Sequence, residues 1–203
     1  MIRPGTVLLA LLLAAPAAAA RPTLPEVSED KLTKVQEGQV ILQAVHDDED
    51  STWATLTGLV EIEATEDEIW SIITSADHTV AASKAMKECI VHRDDEVAPG
   101  HRQLEVTYRV QAGLEKVEYH VLRDYFPTER YLQWVIDQSK DNDIAWTEGT
   151  YSTHPGSDDD HLLLLYTSRV DTGRKLPKWL EEDLTNSSLK RYLKYVKTTA
   201  EAG

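Results

Sequence analysis

The strongest hydrophobic pattern in the chain lies near the C-terminus, where apolar residues recur at intervals of three to five positions. This spacing places them on one face of a long helix, with charged residues on the other faces. A turn over 171–174, with Gly173 suited to a positive φ, and Pro177 just after it mark the start of the helix. Residues 185–188 have weak helix propensity and predict a kink. The apolar positions are Leu176, Trp179, Leu180, Leu184, Leu189, Tyr192, Leu193 and Val196.

Alternating apolar and polar positions upstream predict the β-strands that would cover this helix face. Residues 39–46 and 53–64 predict an opening hairpin, with Leu56, Gly58, Val60 and Ile62 on one face. The last predicted strand is apolar almost throughout, as expected of a central strand covered on both faces. The strands after the hairpin are predicted over 90–96, 101–111, 115–125, 131–137, 144–153 and 161–170.

Two short helices are predicted between the hairpin and the later strands. Thr65 and Glu68 have the spacing of a capping box, which predicts a helix over 66–75. A second helical segment is predicted over 78–87. The element order predicts an α+β fold, in which a curved antiparallel sheet wraps around the C-terminal helix.

The N-terminal segment has the composition of a secretory signal peptide. A positive start at Arg3, an apolar run over 7–13 and small residues over 18–20 predict cleavage after Ala20. A membrane anchor is the weaker alternative, because the apolar run is short for a membrane span. Residues 1–20 are therefore a predicted signal peptide, 21–36 a polar tether with a short helix near 29–36, and 37–203 one domain. The predicted location is periplasmic or secreted.

Charge and residue composition narrow the possible partners and chemistry. The formal net charge of −14 argues against nucleic acid and against adsorption to anionic membranes, although transient membrane contact stays open. Cys89 is the single cysteine, so an internal disulfide is impossible, and we expect it to be a small buried apolar residue. The seven histidines show no metal-binding spacing, and the acidic runs lack the EF-hand pattern. We predict a monomer with no metal and no cofactor.

Three stretches of the later strands carry a resemblance to a known family. They are EYHVLRDY over 118–125, GTYSTHP over 149–155 and YTSRVDTGRKLPKWL over 166–180, and the spacing from Asp171 through Pro177 to Trp179 is the most specific. They resemble the START domain, within the START-like superfamily of lipid-transfer domains and polyketide cyclases. The resemblance implies the helix-grip fold, with an internal hydrophobic cavity between the sheet and the C-terminal helix that holds one lipid-like molecule.

The predicted ligand-binding residues are the inward positions of the strands and of the C-terminal helix. A solid core built from the same residues is the alternative, since aromatic residues at strand spacing usually fill a core. The strands contribute Tyr108, Val110, Tyr119, Val121, Arg123, Trp134, Ile136, Trp146, Glu148, Leu164 and Tyr166, and the helix contributes Leu180, Leu184, Leu189 and Tyr192.

Arg123 and Glu148 are the two charged residues that alternation places on the apolar face. Because an unpaired buried charge is costly, they either pair with each other or face a polar ligand group. Exposed charges at strand ends are the equal alternative.

The sequence predicts a carrier of a sterol, hopanoid, phospholipid or fatty acid, with the C-terminal helix and the loops near 125–128 and 154–160 as its gate. A cyclase or aromatase is the alternative, with Arg123, Glu148, Tyr119 and His120 as its candidate acids and bases. An interaction module with a filled core is the third possibility. Enzyme activity is the less favoured prediction.

Overall fold

A computed structural model describes residues 21–46, 53–112, 115–173 and 188–203. Within these ranges the chain forms an eight-stranded sheet and four helices. In chain order they are α1 (Glu29–Gln36), β1 (Ile41–His46), β2 (Trp53–Glu63), α2 (Glu66–Thr74), α3 (Ala76–Ala81), β3 (Met86–Ala98), β4 (His101–Ala112), β5 (Glu115–Phe126), β6 (Tyr131–Ile136), β7 (Trp146–Pro155), β8 (His161–Asp171) and α4 (Ser188–Ala200).

The sheet is antiparallel throughout, in the order β1-β2-β8-β7-β6-β5-β4-β3. Strands β3 to β8 follow one another as hairpins, which confirms the predicted meander. The β1–β2 hairpin is also confirmed, and it joins the sheet through pairing of β2 with β8. Strand β8 is central as predicted: Leu163 and Leu165 face one side of the sheet, and Leu164 faces the other.

The inner face of the sheet is the face that packs against α4. On β2 it presents Leu56, Gly58, Val60 and Ile62, as the alternation predicted. Leu189, Leu193 and Val196 of α4 are buried in the same core cluster. The fold is therefore the helix-grip arrangement of a curved antiparallel sheet with a C-terminal helix. The predicted helical residues 176–187 lie outside the described residues.

Helix α2 begins at the predicted capping box. The Thr65 hydroxyl accepts a hydrogen bond from the Glu68 backbone N–H, and the Glu68 carboxylate accepts one from the Thr65 backbone N–H. Trp70 anchors the helix, because its indole N–H donates to Thr153 Oγ1 at 3.2 Å and its ring stacks on Tyr125. Four residues of α2 are buried, so the helix closes one end of the inner face.

Helix α3 differs from the prediction of a helix over 78–87. It ends at Ala81, and Met86 already pairs with Val110 as the first residue of β3. Its start is set by the Ser75 hydroxyl, which accepts a hydrogen bond from the His78 backbone N–H. The alanine-rich pattern favoured a longer helix, but pairing with β4 overrides that local propensity.

Helix α1, predicted near 29–36, lies against the outer face of the sheet. Val35 is fully buried there and packs with Leu59, Leu163 and Leu165. The Arg21 guanidinium donates to the Thr153 carbonyl at 2.8 Å. This part of the predicted tether therefore contacts the domain. The predicted signal peptide lies outside the described residues, within which no helix is long and apolar enough to cross a membrane.

Strand β3 forms one border of the sheet and is the longest strand described. Its pairing with β4 shifts register at three points, between Met86 and Glu88, between Val91 and Arg93, and between Glu96 and Ala98. Most of its side chains are exposed. Irregularities of this kind bend and twist a border strand.

Candidate functional site

Four aromatic side chains form a continuous wall on the inner face. Trp134 of β6 lies 5.4 Å from Tyr151 of β7 and 5.6 Å from Tyr166 of β8, measured between ring centroids. Tyr151 lies 5.0 Å from Tyr166 and 6.0 Å from Tyr192 of α4. The wall therefore joins three strands to the C-terminal helix. A surface of this kind suits a largely apolar ligand with a few polar contacts.

Several inner-face aromatics are less deeply buried than their aliphatic neighbours. Tyr119, Trp134, Tyr166 and Tyr192 remain partly accessible to solvent, whereas nearby aliphatic residues are almost fully buried. Burial nevertheless raises the pKa of Tyr166 to about 12, and it raises the pKa of Tyr119 further. These phenols are therefore neutral at physiological pH and can donate hydrogen bonds.

Arg123 is the buried cation of the inner face. Its side chain is 5 % exposed, and it lies between Leu104 of β4 and Trp134 of β6 in the strand register. Its Nε has no hydrogen-bond partner, and no ion pair to it occurs among the described residues. The guanidinium carbon lies 5.7 Å from the ring centroid of Tyr108. The predicted alternative of an exposed charge at a strand end is thus wrong for Arg123.

The surroundings of Arg123 compensate its charge only in part. Burial of an unpaired cation costs several kcal/mol, whereas a cation–π contact with Tyr108 contributes about 2 kcal/mol when desolvated. Tyr151 and Tyr192 are further polar neighbours, and their rings contact each other with centroids 6.0 Å apart. All three are neutral phenols, since burial raises their pKa values.

Cys89 of β3 pairs with Tyr108 in the strand register and lies near Arg123. Burial raises the pKa of the Cys89 thiol, although the nearby Arg123 and Thr79 act in the opposite direction. The thiol is therefore neutral and a poor nucleophile. It is half-buried and packs against the core, whereas the sequence predicted a buried residue.

Glu148 and Trp146 do not lie on the inner face, so the prediction for these two residues was wrong. In β7 the inward positions are Thr147, Gly149 and Tyr151, since Gly149 pairs with Trp134 and Tyr151 pairs with Leu132. Glu148 therefore points away from Arg123, which excludes the predicted pair between them. The alternation of apolar and polar residues predicted the wrong inward face for β7, because two of its inward positions are threonine and glycine.

Tyr151 is an inner-face aromatic residue that the predicted ligand-binding set omitted. It contacts Trp134, Tyr166 and Tyr192, and it is 7 % exposed. The sequence signal that could have identified Tyr151 is its position within the resembling stretch over 149–155. In the structure it pairs with inward Tyr166.

The other predicted site residues have clear places. The following lie on the inner face or on the buried face of α4: Tyr108, Val110, Tyr119, Val121, Arg123, Trp134, Ile136, Leu164, Tyr166, Leu189 and Tyr192. Leu180 and Leu184 lie outside the described residues.

The outer face of the sheet is polar near its centre. The Thr107 hydroxyl bridges His92 Nε2 at 2.8 Å and His120 Nδ1 at 2.7 Å. His120, a candidate base of the enzyme alternative, thus lies on the face opposite Arg123. An open groove of about 440 Å³ lies on the outer side of the sheet, and its lining includes the charged residues Asp124, Glu148 and Arg169.

Comparisons with known proteins agree on the fold. No protein-family model and no curated protein matches the sequence. A STAR-related lipid transfer protein from Xanthomonas axonopodis superposes with a TM-score of 0.57 at 12% identity, covering 87% of this chain and 96% of that one. Human STARD10 gives a TM-score of 0.59 at 11% identity, covering 89% and 82%. The Zhui aromatase/cyclase from a Streptomyces species gives 0.53 at 14%, covering 74% and 92%.

The eight-stranded sheet and its C-terminal helix define a START-like helix-grip fold. The structural neighbours include a protein described as STAR-related lipid transfer and one described as an aromatase/cyclase. At these identities the similarity establishes the fold, and the function has to be argued from the inner face.

Proposed function

We propose that this protein binds and carries one hydrophobic, lipid-like molecule between the inner face of its sheet and α4. The observation that carries the proposal is the aromatic wall of Trp134, Tyr151, Tyr166 and Tyr192, three of whose members are partly accessible to solvent. Aromatic side chains that keep accessible surface on the inner face of a sheet suit contact with a lipid chain or ring system. The candidate ligand classes are sterols, hopanoids, phospholipids and fatty acids.

Carrying follows from the energetics of apolar burial. Each Å² of apolar ligand surface removed from water contributes about 25 cal/mol, whether the ligand enters a membrane or a protein cavity. Exchange between the two environments is therefore close to neutral, as a carrier requires. The loops between β5 and β6 and between β7 and β8 lie at the same end of the sheet, and with α4 they are the proposed gate.

We place this activity outside the cytoplasm, in the periplasm or the extracellular medium. The support is the composition of residues 1–20, which has the charged, apolar and small-residue segments of a signal peptide. A fusion of residues 1–20 to a reporter enzyme that is active only after export tests this location.

The cyclase or aromatase alternative has less support from the site. Of its four candidate acids and bases, Glu148 and His120 lie on the outer face, and only Arg123 and Tyr119 face inward. A structural neighbour named as an aromatase/cyclase shares the fold, which keeps this alternative as the second candidate.

A lipid-capture experiment tests the proposal. Delipidated protein is mixed with a bacterial lipid extract, repurified and weighed by native mass spectrometry, and we expect one lipid per chain. Trp134→Ala removes part of the inner wall and should weaken capture, whereas Trp146→Ala, on the outer face, should not. Circular dichroism checks that both variants fold.

Protein-dependent transfer of a captured lipid between donor and acceptor vesicles then tests carriage. An empty protein after lipid exposure contradicts the proposal and favours a filled core. Turnover of the captured molecule into a new mass would favour the enzyme alternative.

A further inference from the structure

Arg123, the buried cation of the inner face, gives information about the ligand beyond its hydrophobic character. Arg123 is 5 % exposed, and its Nε lacks a partner. None of the described residues forms an ion pair with it. The planar guanidinium has five N–H donors arranged to match the two oxygens of a carboxylate or phosphate. Its donor capacity is therefore left for a group that the described chain does not supply.

The neighbours of Arg123 are suited to an anion rather than to a second cation or a neutral apolar group. Four tyrosines lie around it: Tyr108 of β4, Tyr119 of β5, Tyr151 of β7 and Tyr192 of α4. Each phenol stays neutral and can donate a hydrogen bond, so none of them repels negative charge. The carboxylate that the sequence suggested as a partner, Glu148, lies on the opposite face.

The position of Arg123 also links the polar and apolar parts of the site. In the strand register it is the direct partner of Trp134, whose ring begins the aromatic wall. A molecule with its head at Arg123 would therefore place its next atoms against Trp134, Tyr151 and Tyr166. An amphiphile with an acidic head and an apolar tail matches this order of surfaces.

We propose that the ligand is an acidic amphiphile whose carboxylate or phosphate group pairs with Arg123 while its apolar part lies along the aromatic wall. This inference rests on the proposed function and narrows it, because neutral sterols and hopanoids lack the group that the guanidinium requires. The carboxylate of a fatty acid and the phosphate of a lysophospholipid share this chemistry.

Matched pairs of probes separate the head group from the tail. Oleate is compared with oleyl alcohol, and oleoyl lysophosphatidate with oleoylglycerol, each by calorimetric titration of the delipidated protein below the critical micelle concentration. We expect the acidic member of at least one pair to bind about tenfold or more tightly than its neutral partner. A preference within the oleate pair identifies a carboxylate, and one within the lysophosphatidate pair identifies a phosphate.

Variants assign the preference to Arg123. Arg123→Met should abolish the acidic preference and leave binding of the neutral probe nearly unchanged. Arg123→Lys should keep part of the preference, because it retains the charge and loses the two-pronged geometry. Arg109→Met is the matched control on the outer face of the neighbouring strand, and it should keep the full preference. Arg123→Gln replaces Arg123→Met if the latter does not fold.

The outcomes distinguish this inference from the proposed function. Equal affinity for acidic and neutral probes overturns the acidic-ligand inference and leaves lipid binding intact. A preference that survives in Arg123→Met also overturns it, because the charge is then recognised elsewhere. If no probe and no extracted lipid binds, the proposed function itself has failed.

Discussion

The indole ring of Trp134 lies directly over Gly149, the residue that faces it on the neighbouring strand. A Cβ atom built on Gly149 would overlap the six-membered ring of Trp134 and the carbonyl oxygen of Thr167. Because Gly149 has no side chain, Trp134, the largest inward residue of β6, can lie against β7 at this position. The wall of the proposed cavity depends on this fit.

Gly149→Ala is expected to destabilise the protein by about 1–3 kcal/mol, as overpacking of a tight site does. Chemical denaturation measures the effect. In a Trp134→Leu background the same change should cost less, because one of the two overlaps disappears. The overlap with the Thr167 carbonyl remains, so some cost persists. Equal costs in both backgrounds would contradict the role given to the indole ring.

Arg123→Met is expected to leave the ligand-free protein as stable as the parent or more stable, by up to about 1–4 kcal/mol. The reason is that the substitution removes a buried and unpaired charge and keeps the volume. Thermal unfolding of the delipidated proteins measures the change. Arg109→Met, whose guanidinium pairs with Glu88 and Glu118 at the surface, should give no gain. A strongly destabilised Arg123→Met would instead assign Arg123 a structural role.

Gly58→Ala is expected to loosen α4, because the added methyl group would lie 2.5 Å from Leu193 Cδ1. We expect faster hydrogen exchange of the backbone amides over 188–200 and faster release of a bound lipid. The double variant Gly58→Ala with Leu193→Val should restore protection, since it shortens the side chain that meets the new methyl group. Loosening that Leu193→Val does not relieve would mean that the strand, and not the helix contact, is disturbed.

Two histidines on either side of the β7–β8 loop are expected to act oppositely on stability between pH 7 and pH 5. Burial, and secondarily Arg21, lower the pKa of His154 from its ordinary value of 6.5. A hydrogen bond to the Asp158 carboxylate raises the pKa of His161. Protons therefore bind His154 preferentially in the unfolded chain and His161 preferentially in the folded one.

Acidification below the ordinary histidine pKa thus removes stability through His154 and adds it through His161. His154→Gln should flatten the loss of stability as the pH falls, and His161→Gln should steepen it. Denaturation midpoints at intervals of half a pH unit measure the two slopes. Parallel changes in both variants would contradict the assigned environments.

Local patterns predicted most of the fold. The inward residues of β2, β4, β5 and β6, the capping box at Thr65 and the positive φ at Gly173 are all as predicted, the last with a value of 70°. These features depend on neighbours in sequence, which strand alternation and turn chemistry report directly. Pairing of β2 with β8 depends on residues about a hundred positions apart, so no local pattern specified it.

The site was harder to predict than the fold because its interior is partly polar. Inward Thr147 accepts the indole N–H of Trp134, and inward Thr153 accepts that of Trp70. Strand β7 consequently lacks the alternation of apolar residues that identifies the inward face of a strand. Trp146 suggested that the outer face of β7 was the inward one. The placement of Arg123 was correct, because its strand has apolar residues at neighbouring inward positions.

The three register shifts of β3 have a consequence for copies of this protein in concentrated solution. A regular border strand offers its unpaired backbone groups as a template on which another chain can dock, and this is how fibrils grow. In β3 the register shifts interrupt the regular backbone pattern every few residues, and the strand carries charged side chains at Arg93, Asp94, Asp95 and Glu96. The long free margin of the sheet is thereby protected against edge-to-edge aggregation.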